Sequence, residues 1–392
     1  MEEALRDIVR SRPAVQQPEW GDPHEMAKVR AELAACPPLT TVRDVRRLSG
    51  LLATVAMGGA QVVQCGDCAE DPAECTPGYV ARKAELLDMA ARTIRRTSGL
   101  PVVRAGRIAG QFGKPRSRPT ERVGGRELPV YRGHMVNSPE PDPHLRRPDP
   151  GRLLACHSAA RSAMAHLGWL DSGCPPVAVP EVWTSHEALL LDYEEPMVRP
   201  DGEGGLLLTS THWPWIGERT RHVEGAHVAL LSQVSNPVGC KVGPSMTPAE
   251  LTELCGRLDP RREPGRLTLI ARMGADTVTE RLPALVRAVR AAGHPVIWLT
   301  DPMHGNTVQT PDGFKTRFVT TVVREVEGFL RAVEEAGGTP GGLHLETTPD
   351  RVTECVQDAS EIGRVSDKYT SFCDPRLNVR QLMDVLQAWR AA

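Results

Sequence analysis

From about residue 60 to 350, short β-rich runs alternate with amphipathic stretches, and this alternation constrains the fold more than any other feature. Eight runs read as strands: QVVQC at 61–65, PVVRAGR at 101–107, AVPEVW at 178–183, LLLTSTHW at 206–213, PVGCKVG at 237–243, RLTLIARM at 266–273, PVIWLT at 295–300 and GLHLET at 342–347. The stretches between them, such as TPAELTELCGRLD and ERLPALVRAVRAAG, have helical periodicity, and several open on Thr-Pro and stop at Gly. Near-continuous apolar strands with intervening helices imply a parallel sheet covered by helices. Eight such units predict a (β/α)8 barrel, with a doubly wound open sheet as the alternative. Residues 1–50 read as an N-terminal helical extension, 51–392 as the barrel domain and 377–391 as a closing helix. Segment 114–150, rich in Pro, Arg and Gly, reads as a long loop over the barrel mouth, because no second core follows it. SHEALLLDYE at 185–194 reads as the start of a helix after strand three.

Composition narrows the classes of function. A chain of 392 residues, 40% hydrophobic and 24% charged, buries a large core without disulfides or structural metal. With 47 basic against 49 acidic residues, a broad nucleic-acid or membrane surface is not expected, although a local basic pocket is allowed. No apolar run approaches the roughly 20 residues of a membrane span, and MEEALRDIVRSRP lacks a secretory layout, so a cytoplasmic location is expected. The ten cysteines are scattered, most expected to be reduced and many simply buried; the single CxxC, Cys65–Cys68, is a weak redox signal. GxGxxG and GxxxxGK[ST] are both missing, and Ser185-His186-Glu187 lacks the second His of a zinc-protease helix.

In a barrel the C-terminal strand ends carry the chemistry, and here they carry two sets. The first is Cys68, His304, Glu346 and Asp374. A thiolate, an imidazole and two carboxylates make a mixed divalent-metal site, suited to Mn2+ or Fe2+ and tolerant of Co2+ or Zn2+. Singly, Cys68 reads as well as a buried small hydrophobe and His304 as a loop hydrogen-bonder, and spacing alone does not select this quartet. The second set is cationic: Arg107, Lys114, Arg116, Arg219, Lys241 and Arg272. Lys241 and Arg272 lie within apolar strands, where a cation needs an anionic partner. Six such groups around one mouth suit two multiply charged small anions, with internal ion pairing as the plainer reading for one or two. Trp215 is the tryptophan placed near a ligand.

QCGDCAE, RIAGQFGKPRS, SHEALLLDYE, WIGERTR, NPVGCKVGPS, LIARMG, DPMHGNT, GGLHLETTPDRVTEC and CDPRLN together resemble the type II 3-deoxy-D-arabino-heptulosonate 7-phosphate (DAHP) synthases. The resemblance covers roughly residues 60–380 and implies a (β/α)8 barrel. It implies metal-dependent condensation of phosphoenolpyruvate with erythrose 4-phosphate, the entry to the shikimate route. It places metal ligands at Cys68, His304, Glu346 and Asp374, with Mn2+ first and Co2+ or Fe2+ as alternatives. It assigns phosphoenolpyruvate to Arg107, Glu218, Arg219, Lys241 and Arg272, and the erythrose 4-phosphate end to Lys114, Arg116 and Ser117. Lys241 and Glu218 are the expected proton-handling groups, and Asp301 is expected to orient the His304 loop.

Two departures from the family pattern carry expectations. Cys65 stands where members usually have Gly, so a Cys65–Cys68 disulfide that removes a ligand is one reading and a tolerated small residue the favoured one. The short N-terminal extension and the short segment between strands two and three predict weak or no inhibition by Phe, Tyr or Trp, as in a copy serving secondary metabolism of the phenazine type. A homodimer is expected. Rival readings are an aminoDAHP synthase of a 3-amino-5-hydroxybenzoate-type pathway and a catalytically silent phosphometabolite-binding protein.

Overall fold

A computed structural model describes residues 2–171 and 181–389. Its centre is a closed barrel of eight parallel strands. These are β1 (Gln61–Gly66), β2 (Val102–Arg107), β3 (Trp183–Glu187), β4 (Trp213–Ile216), β5 (Val238–Val242), β6 (Leu267–Ala271), β7 (Ile297–Thr300) and β8 (Pro340–Glu346). Each strand pairs with its chain neighbours, and β8 closes on β1. The open-sheet alternative is therefore excluded.

Two strands differ from the sequence reading. The third is Trp183–Glu187, later than 178–183 (of which 178–180 lie outside the described residues), and Ser185-His186-Glu187 belongs to it rather than to a following helix. The fourth is Trp213–Ile216, while Leu206–Leu208 pairs antiparallel with Val198–Pro200 outside the barrel. On β3 the polar side chains find buried partners on both faces, Ser185 with Gln64 inside the barrel, Thr184 with His212 and His186 with Glu194, so they break the apolar run that marks a buried strand.

Helices follow the strands as the Thr-Pro and Gly signals indicated. Thr76 caps Pro77–Ser98, which ends at Gly99 in the left-handed conformation (φ 71°). Thr247 and Glu250 form a reciprocal capping box at the start of Pro248–Leu258. Segment 114–150 is a long loop containing a two-stranded hairpin, Thr120–Val123 with Arg126–Pro129. The closing helix is Val379–Ala388. Among the described residues no helix is long and apolar enough to cross a membrane.

The N-terminal segment folds as α1 (Glu2–Arg10), α2 (Pro23–Ala35) and α3 (Val42–Ala56). The third runs across residue 50, because its apolar face belongs to the barrel. Leu48, Leu52 and Val55 are packed with Val62, Val103, Trp183, Trp213, Ile270 and Leu299 in the barrel's interior. Each such side chain removed from water contributes about 1.5–3 kcal/mol. The helix thereby closes the N-terminal end and leaves the other end as the mouth. Arg30 of α2 pairs with Asp192 and Glu195, both at 2.7 Å, which fastens the extension to the chain after β3.

Going up the interior, apolar packing gives way to a polar layer whose proton directions are all fixed. Arg107 can only donate, so it donates to His344 Nε2 at 2.8 Å. His344 Nδ1 then donates to Gln64 Oε1. Gln64 Nε2 donates to Ser185 Oγ at 2.7 Å, and Ser185 donates to the Trp213 carbonyl. Burial, with Lys241 and Arg107 close by, holds the His344 imidazole well below its ordinary pKa, which keeps this chain intact.

Candidate active site

Strand register sets the first distances. Gly66 at the end of β1 pairs with Glu346 on one side and Arg107 on the other, which brings a carboxylate and a guanidinium to one level. A Cβ at Gly66 would lie 2.7 Å from the Arg107 carbonyl and its φ is 149°, so only glycine permits this closeness. The chain then turns inward to place Cys68. Asp67 beside it is anchored by Lys83 at 2.6 Å and by Arg376 at 2.7 Å. Because Arg376 follows Asp374 by two residues, the same ion pair draws the first and last ligand candidates together. Glu354 holds the other side of Arg376 at 2.8 Å.

The Cys68 sulfur and carboxylate oxygens of Glu346 and Asp374 all lie within 4.8 Å of one another. His304 Nε2 is 3.1 Å from Glu346 Oε1, and its Nδ1 is 2.8 Å from Asp301 Oδ2. With Nδ1–H donating to Asp301, the Nε2 lone pair faces the cluster, the arrangement an imidazole ligand needs. Two carboxylates and a thiol this close, none exposed, form an anionic pocket that demands a cation. The molecule meets that demand with its own side chains: Lys114 Nζ lies 2.6 Å from both Cys68 Sγ and Asp374 Oδ2, and Lys315 Nζ lies 2.7 Å from Asp374 Oδ1. Donor type, number and spacing fit a divalent ion.

Glu346 is the hub. Arg317 donates to its Oε2 at 2.8 Å and Arg107 to its Oε1 at 3.1 Å. Burial alone would raise its carboxyl, but His304, Arg317 and Lys114 hold it well below the usual carboxylate range. The Cys68 thiol shifts the other way. Burial, a hydrogen bond with Cys373 and the carboxylates of Glu346 and Asp374 push it well above its ordinary value.

The cation set gathers around this cluster. Arg107 lies over the Trp215 ring, 5.3 Å from its centroid, so Trp215 is the floor beneath the guanidinium. Lys241 Nζ donates to Asp301 Oδ2 at 2.5 Å, which joins it through Asp301 to His304. Burial brings the Lys241 ammonium down to about 8. Arg272 donates to the His304 carbonyl at 2.8 Å. Arg219 donates to Ser117 Oγ at 2.7 Å, and Arg116 pairs with Glu121 at 2.9 Å. Glu218 accepts from Arg221 at 2.7 Å, while its other oxygen is buried without a partner among the described residues. Every site residue read from the sequence thus lies at the C-terminal end of the barrel.

Some members of the site were not read from the sequence. Glu187, at the end of β3, has a buried Oε1 without a partner among the described residues. Burial raises its carboxyl although Lys114, Lys241, Arg107 and His304 oppose that shift. Lys315 and Arg317 were also missed. Cys65, in contrast, packs between strand and helices, its thiol pushed up to about 12 by burial, and the sulfur beside Cys68 is that of Cys373. The tolerated small residue is the reading this packing favours.

A (β/α)8 barrel with an anionic cation-binding cluster inside a ring of Arg and Lys is the architecture of an enzyme acting on small anions. The Class-II DAHP synthetase family matches residues 5–177 and 171–388, and the chain belongs to that family. It is accordingly an enzyme of the transferase class. A probable phospho-2-dehydro-3-deoxyheptonate aldolase of Pseudomonas fluorescens is 55% identical over 392 residues, covering 100% of this chain and 98% of the relative. A phospho-2-dehydro-3-deoxyheptonate aldolase of Streptomyces coelicolor is 39% identical, covering 96% and 94%. The AroG aldolase of Mycolicibacterium smegmatis is 38% identical over 432 positions, covering 97% and 92%.

Proposed function

We propose that this enzyme condenses phosphoenolpyruvate with erythrose 4-phosphate and water, giving DAHP and inorganic phosphate. The observation that carries this reading is the contiguity of the two sets: Lys114 and Arg107 touch the Cys68–Glu346–Asp374 cluster directly, so an aldehyde at the cluster and an anion on the clamps would be neighbours. Cys68, His304, Glu346 and Asp374 would hold the metal, with Mn2+ first as the resemblance implies; the two carboxylates suit Mn2+ and Fe2+ alike, and the thiolate and imidazole tolerate Co2+. When bound, that ion supplies Lewis-acid polarisation of the aldehyde.

The chain's own residues do the rest. Arg107, Arg219, Lys241 and Arg272 hold the carboxylate and phosphate of phosphoenolpyruvate, and Lys114, Arg116 and Ser117 hold the phosphate of the aldose. Fixing both substrates at near-attack distance supplies much of the acceleration. As C3 of phosphoenolpyruvate attacks the aldehyde carbon, positive charge develops at C2. Water adds at C2 and phosphate leaves from it. The unpartnered oxygens of Glu218 and Glu187 are acceptors for that water or its protons, and Lys241 is the matching donor.

Weak inhibition by aromatic amino acids belongs to the same proposal. The alignment with the Mycolicibacterium relative runs over 432 positions against a chain of 392, so that relative carries residues this chain lacks, whereas the Pseudomonas alignment spans 392. Phe, Tyr and Trp added to the assay are expected to leave the rate nearly unchanged; strong inhibition by any of them removes this part. A homodimer is likewise proposed, and a lone 42.7 kDa species in sedimentation would remove it.

The deciding experiment measures phosphate release from phosphoenolpyruvate with and without erythrose 4-phosphate, in Mn2+ and after chelation. Release that requires both the aldose and the metal is the expected result. Release only with an aminated aldose would shift the assignment to aminoDAHP synthesis. Substrate binding without turnover in any divalent metal would replace it with a binding protein.

A further inference from the structure

Glu325 lies on Val319–Glu335, the helix after β7, and no part of it is exposed. Among the described residues no cation stands within ion-pair distance of it. It is held by hydrogen bonds alone. Its Oε1 accepts from the backbone N–H of Met273 at 3.0 Å and of Gly274 at 2.9 Å, in the loop after β6. Its Oε2 accepts from Asn306 Nδ2 at 2.5 Å, in the loop after β7. Asn306 closes the ring, since its Oδ1 accepts from Ala275 N–H at 3.0 Å and its Nδ2 also donates to the Pro302 carbonyl at 2.8 Å.

A buried carboxylate without a cation is costly, and burial pushes this one up to about 7. Packing alone would favour an apolar side chain of the same volume. What a carboxylate does here that an apolar group does not is accept from two loops at once. The first loop begins at Arg272, and the second contains His304. They touch directly, for Arg272 donates to the His304 carbonyl, and a Cβ at Gly305 would lie 2.5 Å from the Gly274 nitrogen.

We infer that Glu325, through Asn306, is a positioning residue that locks the Arg272 loop to the His304 loop, so that one arm of the phosphoenolpyruvate clamp and one metal ligand are set as a unit. The inference rests on the proposed function for the roles of Arg272 and His304. Lys114, Arg116 and Ser117 belong to the loop after β2 and lie outside the lock.

The test compares Glu325→Gln with the wild type by titration calorimetry of phosphoenolpyruvate, by the electron paramagnetic resonance signal of free Mn2+, and by the KM for erythrose 4-phosphate. Gln keeps an acceptor for Met273 and Gly274 but turns a donor towards the Asn306 donor. Both phosphoenolpyruvate and Mn2+ are expected to bind roughly tenfold more weakly, while the aldose KM stays within about twofold. The double variant Glu325→Gln/Asn306→Asp restores a donor–acceptor pair between the two side chains but sets an acceptor against the Pro302 carbonyl, and is expected to recover only part of both losses; the split between these two ligands and the aldose is what a merely structural role would not give. Asn306→Ala, which opens the ring from the other side, is expected to show the same pattern and serves if Glu325→Gln fails to fold. Unchanged binding of both ligands in folded Glu325→Gln overturns the lock, as does an equal loss that includes the aldose. A wild type that binds neither phosphoenolpyruvate nor Mn2+ overturns the functional reading, and the lock with it.

Discussion

Glu346→Gln is expected to lower phosphate release on the order of 1000-fold, equivalent to about 4 kcal/mol of lost Lewis-acid and electrostatic stabilisation. The size follows from where Glu346 stands. It contacts His304, Arg107 and Arg317 together, so its charge serves both the metal-binding cluster and the substrate clamps. An amide keeps the shape and one acceptor but removes the negative charge that a divalent ion needs. Calorimetric titration of Mn2+ is therefore expected to lose its tight site in the same variant. Glu346→Ala goes further and leaves Arg317, which has no exposed surface, without its carboxylate. Breaking such a buried pair costs about 3–5 kcal/mol, read as a lower midpoint in chemical denaturation. The pH dependence has a definite sign. The carboxyl is held below its ordinary value in the folded state, so its contribution is present above the unfolded pKa of about 4.3 and is lost as pH falls through the native value. The stability gap between wild type and Glu346→Ala should accordingly narrow in acid. A variant that retains tight Mn2+ binding and near-normal turnover would show that the metal, if used, is held elsewhere.

Much of this site was legible because barrel strands end where chemistry begins. His304 and Glu346 stand at consecutive strand ends, and Lys241 interrupts an apolar strand, so chain order alone placed them at one mouth. Cys68 and Asp374 were less accessible to that logic. They meet through the Asp67–Arg376 ion pair, whose partners are 309 residues apart, and no local pattern announces such a pairing. Arg317 had no signal at all. Its sequence, FKTRFVTT, reads as the polar lead-in to a helix, and only the closed barrel shows that the guanidinium reaches Glu346. Glu187 was misread for a physical reason: His-Glu after Ser resembles a helix start, whereas buried partners, Gln64 for Ser185 and Glu194 for His186, let those residues continue a strand. The predicted fourth strand came too early, since Thr209 and Ser210 are buried by bonds to the Met197 carbonyl and to Glu194 in the chain after β3 without being strand. Asp301 was anticipated as the residue that orients the His304 loop, and it does receive His304 Nδ1. That it also holds Lys241, and so ties clamp to ligand, depended on register between β5, β6 and β7 that a single sequence does not reveal.

That second contact of Asp301 makes Lys241 the other site of large effect. Burial brings its ammonium down to about 8, with Arg107 adding to the shift and Asp301 opposing it. In the free enzyme the proton is therefore present below that value and lost above it. If Lys241 must be charged to hold phosphoenolpyruvate and to donate near C2, kcat/KM for phosphoenolpyruvate is expected to fall about tenfold per pH unit above roughly pH 8. Bound phosphoenolpyruvate brings negative charge to the ammonium and raises its pKa, so the corresponding limb in kcat should appear at higher pH. Lys241→Met removes the donor and leaves Asp301 with less compensation, and a fall in kcat/KM of roughly 1000-fold is expected. Lys241→Arg separates the two roles. Arginine keeps the charge at every accessible pH but does not release a proton, so binding should be largely retained, kcat should fall, and the limb near pH 8 should vanish. A limb that persists unchanged in Lys241→Arg would assign the titration to another group and leave Lys241 as a clamp alone. Disappearance of the limb together with a low, pH-independent kcat would make it the proton donor at C2.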